Sequence, residues 1–129
     1  MIQRFIELGE GYSDIYELTE LARVNHHRLS GFFAFHTMKK DRPVVSLAVV
    51  LHPTDPGDFQ PIYICREGIP DPSVKPNKRY ELFAETAKEL GVTITHLDVK
   101  PSTMFADLDL YYQHLIGIMR MNRFIPPLQ

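Results

Sequence analysis

One cysteine, Cys65, and no tryptophan occur in the 129 residues. A single thiol cannot form an intrachain disulfide, so the fold has to stand on its apolar core, and a reducing compartment is the expectation. No apolar run approaches the roughly 20 residues that a membrane-spanning helix needs. The opening MIQRFIELGEGY carries acids where a secretory signal has its apolar stretch. The expected location is therefore cytoplasmic, with no membrane partner. Excess charge is missing too. Lys and Arg number 14 against 16 Asp and Glu, a net charge of −2, so nucleic acid is not indicated without a local basic patch. Lys39, Lys40 and Arg42 make one small cluster, read as a solvated turn. A P-loop, G-x-G-x-x-G, G-x-S-x-G and C-x-x-C are also absent. No motif names a cofactor, which stays unknown at this level.

What is present is the composition of a globular protein, 44% hydrophobic and 23% charged. The length is that of one domain, residues 1–129 with 124–129 as a short tail, and such a chain hides roughly two-thirds of its unfolded surface. The organising stretch is Gly31 to Arg66, GFFAFHTMKKDRPVVSLAVVLHPTDPGDFQPIYICR, three apolar runs parted by two turn-like breaks. Val44 to Leu51 is apolar except for Ser46, and a strand apolar on both faces has to be covered on both. Gly31–Met38, Val44–His52 and Gln60–Arg66 therefore read as a meander, with turns at Lys39–Arg42 and Pro53–Asp58.

Before the meander, Ile2–Leu8 alternates as a half-buried strand. Ile15, Leu18, Ala22 and Leu29 fall on one helical stripe, with Asp14 and Glu17 at capping-box spacing and His26, His27 and Arg28 in the last turn. After it, the three prolines of Gly68–Pro76 predict irregular chain. Asn77–Leu90 reads as a helix with Tyr80, Phe83, Ala84, Ala87 and Leu90 on one face, closed by Gly91. Val92–Val99 is a strand tied to the preceding one through that helix. Pro101, Ser102 and Thr103 then open a last helix running to about Asn122.

The expected fold is α/β (α+β): order β-α-β-β-β-α-β-α, a mixed five-stranded sheet with an antiparallel meander, one βαβ crossover and helices on both faces. The inner part of that order, about residues 13 to 99, resembles the core order of the PD-(D/E)XK nucleases. The resemblance implies a metal held by an acid near the second meander strand, which Asp41 matches, and by a Glu-x-Lys on the third. Here the third strand reads Pro61-Ile62-Tyr63-Ile64-Cys65, with neither acid nor lysine.

Strand directions sort the polar residues by sheet end. A turn at Lys39–Arg42 sets Met38 against Pro43, His36 against Val45 and His52 against Leu29, which parts His36 from His52. One end then gathers Arg66, Glu67, Asp98 and Lys100, with the amides of Ser102 and Thr103 at the start of the last helix. That set suits a phosphate or carboxylate; the plainer reading is helix capping and solvated loops. The other end gathers His26, His27 and His52, of which His26 and His52 are the proposed pair for zinc or nickel. The plainer reading there is a helix C-terminus with favourable charge.

His96 and His114 read as isolated histidines, and Cys65 as an inert buried thiol. The last helix is apolar on nearly every side, so Tyr112, Ile116 and Met119 are the expected homodimer interface, set against a thick intramolecular core. The leading functional reading is a small cytoplasmic binding or interaction module that self-associates. The alternatives are an enzyme or degenerate enzyme acting on phosphorylated or nucleic-acid substrates, and a histidine-based metal binder.

Overall fold

The structure is a computed structural model that describes residues 1–8, 13–65 and 68–127. In chain order the elements are β1 (Gln3–Glu7), α1 (Ser13–Val24), β2 (Leu29–Lys39), β3 (Arg42–Leu51), β4 (Gln60–Ile64), β5 (Ile69–Pro70), α2 (Lys78–Glu89), β6 (Ile94–Asp98) and α3 (Leu108–Met121). The sheet runs β1-β4-β3-β2-β6, with β5 alongside β3. β3 is antiparallel to β2, β4 and β5, while β1 is parallel to β4 and β2 to β6. Every strand but β3 therefore points the same way, and their carboxyl ends share one edge of the molecule.

The apolar β3 sits at the centre, as its pattern demands, with Val45 and Ala48 both 0% exposed. Alternation along β3 divides the core in two. Val45, Leu47, Val49 and Leu51 join Ile15 and Leu18 of α1 and Phe83 and Ala87 of α2. Ala48 and Val50 join Tyr111, Leu115, Ile116 and Met119 of α3. Each fully buried large apolar side chain contributes roughly 1.5–3 kcal/mol, so both helical layers are held to the sheet by side chains the sequence pattern had already marked. The fold is mixed α/β with helices on both faces.

Local chemistry sets the boundaries. Lys40 and Asp41 have φ of 51° and 62°, a two-residue turn of the left-handed kind that matches strand twist. It pairs Met38 with Pro43 and His36 with Val45, the register expected of the hairpin. At the far end a bulge between Leu29 and Gly31 puts Leu29 opposite Leu51 rather than His52. Asn77 caps α2, its side chain accepting from Tyr80 N at 2.9 Å. Gly91 takes φ 71° just past the helix end, where a glycine avoids the Cβ clash.

Five further expectations about these elements need correction. The sheet has six strands, not five, because Ile69 and Pro70 pair with Val45 and Val44; proline is tolerated there at the strand end. α1 stops at Val24, since Asn25 turns both its backbone and side-chain N–H groups back on Leu21 O, and His26–Arg28 form a 3-10 turn. Asp14 does not work as a capping-box residue: its carboxylate accepts two bonds from Arg79 Nη2, at 2.8 and 2.9 Å. α3 starts at Leu108, not at Ser102, because Asp107 accepts from Leu110 N at 2.9 Å and Ser102–Met104 is a separate 3-10 turn. Last, Ile116 and Met119 are 3% and 0% exposed, and Tyr112 stacks on Phe5 while donating to Glu7. The three residues expected at a dimer interface belong to the intramolecular core, which α3 closes against the sheet.

Candidate functional site

The parallel pairing of β2 with β6 sets His36 opposite Asp98 and Ala34 opposite His96. His36 and His96 share the face that carries Ala34 and Ile94, the side of α1 and α2. At the same edge the chain leaves β5 into Asp71, whose N–H still bonds Pro43 O at 3.1 Å. Asp71 is held by the turn it begins: Ser73 N and Ser73 Oγ both donate to Asp71 Oδ1, at 3.0 and 2.7 Å. Asn77 secures that turn by donating to Pro70 O and Lys75 O.

The result is a hydrogen-bonded chain of three side chains. Asp71 Oδ2 lies 3.1 Å from His36 Nδ1, and His36 Nε2 lies 2.7 Å from His96 Nδ1. The ring centroids are 5.0 Å apart, the separation two imidazoles give when both nitrogens and both ring centres fall nearly on one line. Lone pairs that face each other head-on share a proton. A metal ion bound by both would need each ring swung off that line. Among the described residues no group of three or more His, Cys, Asp or Glu is placed to hold a metal ion.

Electrostatics fix the proton positions. Asp71 is held below the usual carboxylate range, first by the Ser73 hydroxyl, with the His36 hydrogen bond adding to it. The carboxylate is thus acceptor-only at neutral pH, and His36 must place its proton on Nδ1. With both rings neutral, His36 Nε2 accepts from His96 Nδ1–H, and His96 Nε2 is left bare on the side away from His36. Burial lowers the pKa of His96, and the neighbouring His36 lowers it further, against a smaller opposing pull from Asp71. His96 is exposed to solvent at that edge.

The residues marked from sequence scatter around this site. Arg66 and Glu67 lie outside the described residues. Asp98 is exposed on β6, directly opposite His36. Lys100 is exposed and donates its backbone N–H to His114 Nε2 at 3.2 Å. Ser102 lines a cleft of about 290 Å³ on the α3 side of the sheet, with Glu7, Lys39, Ser46 and Tyr112, and Thr103 is exposed. β4, which leads towards Arg66, is separated from β6 by β3 and β2, about 14 Å at 4.8 Å a strand. β6, expected beside the meander strand that precedes it, pairs with β2 instead.

At the opposite edge, His52 and Arg28 pair through their backbones, and Arg28 Nη1 donates to His52 O at 2.8 Å. His26 lies 3.3 Å from Arg23 O, with the His27 ring edge-on at 6.2 Å. Asp41, the match to a nuclease acid, is exposed at the tip of the β2–β3 turn.

Sequence reasoning missed the trio of His36, Asp71 and His96. Asp71 fell in a proline-rich stretch read as irregular, and His96 was read as isolated. The one available signal was the hairpin register, which already placed His36 at the carboxyl edge.

The fold and the site together define a three-layer α/β/α protein with a carboxylate-anchored histidine pair at the carboxyl edge of its sheet. The chain belongs to the family described as Domain of unknown function (DUF7147), whose model matches residues 1–125. No curated protein and no solved structure matches the chain. Among the described residues no helix is long and apolar enough to cross a membrane.

Proposed function

We propose that the chain is a small cytoplasmic binding domain that holds a proton-donating ligand, a hydroxyl or an ammonium, at His96 Nε2. The observation that carries this reading is the unbroken chain from Asp71 through His36 to His96. An ionised carboxylate at one end dictates the tautomer of both rings and presents a bare nitrogen at the other. The same logic orients the histidine of a hydrolytic triad. Here the hydroxyl of Ser73 is committed to Asp71 as an orienting group, which favours recognition over covalent catalysis. The buried, lone Cys65 suits a reducing compartment.

Self-association fits the same reading on the outer side of α3, where Leu110 and Met121 are exposed and nothing stands over Gly117.

The substitution Asp71→Asn tests the relay. Ser73 donates twice to Oδ1, so the introduced carboxamide keeps its oxygen there and turns its NH2 towards His36. That reverses both tautomers and leaves His96 Nε2 protonated. Diethyl pyrocarbonate acylates only a bare imidazole nitrogen. His96, followed by peptide mass mapping at neutral pH, should react severalfold more slowly in the variant than in the wild type. Equal rates would mean that Asp71 does not govern His96, and the proposal falls.

A further inference from the structure

At the amino edge of the parallel strands, far from the histidine pair, the start of β2, the end of β3, the start of β4 and the chain leaving α3 enclose a cleft of about 650 Å³. Among the described residues that line it none is acidic, while Arg120, Arg123 and His52 all are among them. In a chain whose net charge is −2, that is a local reversal of sign. We infer that this cleft binds a phosphate monoester carrying a flat ring, of the class of a mononucleotide.

Four observations carry the assignment. Arg120 is set in place from behind: its Nε and Nη2 both donate to Gln3 Oε1, at 3.0 Å for Nε. Its other guanidinium N–H groups make no hydrogen bond among the described residues. Gln3 is fixed in turn by donating to Gln60 Oε1 at 3.1 Å and to Pro126 O at 2.9 Å. Gln60 lines the cleft and is 1% exposed, and its carboxamide, held by Gln3, gives the cleft wall a fixed polar group. Arg123 donates its backbone N–H to Arg120 O at 3.0 Å, while its side chain has no partner among the described residues. It holds φ 61° just past the end of α3, where glycine or asparagine is the usual choice. A planar guanidinium in that position offers a phosphate two parallel N–H donors. Phe124, a cleft-lining ring that is 40% exposed, meets Phe33 edge-to-face with centroids 5.8 Å apart, and offers the cleft an aromatic surface for a flat ring. The volume suits a ligand of that size.

The test uses the full chain, with AMP, adenosine and inorganic phosphate as probes in thermal unfolding and calorimetry. AMP should raise the midpoint, phosphate should raise it less, and adenosine should leave it unchanged. Arg123→Gly is the diagnostic variant. Glycine relieves the positive φ, so without ligand its midpoint should equal or exceed that of the wild type. AMP affinity should nevertheless fall roughly tenfold or more, the loss of a charge-assisted contact. His52→Gln, a substitution on the exposed rim, should weaken AMP binding in the same direction. The inference is overturned if AMP does not shift the wild type, or if Arg123→Gly binds AMP as tightly as the wild type. An AMP effect no larger than that of inorganic phosphate overturns the ring assignment.

Discussion

Asp14 shows what a single residue is asked to do in so small a core. Its side chain is 2% exposed, and Arg79, reaching across from α2, is 20% exposed. Burying a charge is tolerable only when it is paired and hydrogen-bonded, and Arg79 supplies Asp14 with the opposite charge and two hydrogen bonds. Cys65 lies beside the pair: burial pushes its thiol well up, the Asp14 charge pushes it further, and Arg79 opposes. Buried and held in its protonated form, the thiol sits as a neighbour of Asp14. Arg79→Met should therefore cost about 3 kcal/mol, the low end for breaking a buried pair because Arg79 keeps some water. Urea unfolding at neutral pH measures it. A loss below about 1 kcal/mol would mean that the pair behaves as a solvated surface bridge.

At the scale of the element, α3 carries two apolar faces of different use. Tyr111, Leu115, Ile116 and Met119 turn inward, while Leu110 and Met121 stay 48% and 84% exposed. Hydrophobic content alone could not rank these faces, because a helix apolar nearly all round gives no stripe to read. Two substitutions separate them. Ile116→Asp places a carboxylate in the sheet interface and should unfold the chain, at a cost of about 3 kcal/mol or more. Leu110→Asp should leave the fold intact and convert a wild-type dimer to monomer, as read by light scattering. A wild type that is monomeric at every concentration removes self-association through α3. The open approach to Gly117 is the structural reason to expect close contact there, since a Cβ at that position would meet nothing within 4 Å.

For the molecule as a whole, the titrating groups set its tolerance of acid. The pKa of His114 is lowered by burial and then by Lys100, and that of His96 by burial and then by His36. Groups depressed in this way bind more protons unfolded than folded. Their contribution is complete above about pH 6.5 and is lost as pH falls below it towards the folded values. Protonating His114 also removes the acceptor for Lys100 N–H. Asp71, lowered chiefly by Ser73, adds a second loss that begins only below about pH 4. Urea midpoints should therefore decline in two stages, and His114→Gln with His96→Gln should flatten the first. A midpoint that is level from about pH 8 to pH 5 would contradict this.

These same residues mark how far the chain could be read without coordinates. Local chemistry determined what local chemistry controls. The unbroken apolarity of β3 required cover on both faces, Asn77 and Gly91 delimited α2, and the short hairpin between Met38 and Pro43 set its own register. Only the tertiary structure decided which strand β6 would join, and with it that His36, Asp71 and His96 would meet while the strand leading to Arg66 and the residues Asp98 and Lys100 would lie apart. It also decided which side of α3 faces the sheet, and that Arg120 and Arg123 would share a cleft with His52. Side-chain period and chain-end signals are properties of a few consecutive residues. Strand order is a competition among distant pairings, settled by packing energies that no short window contains.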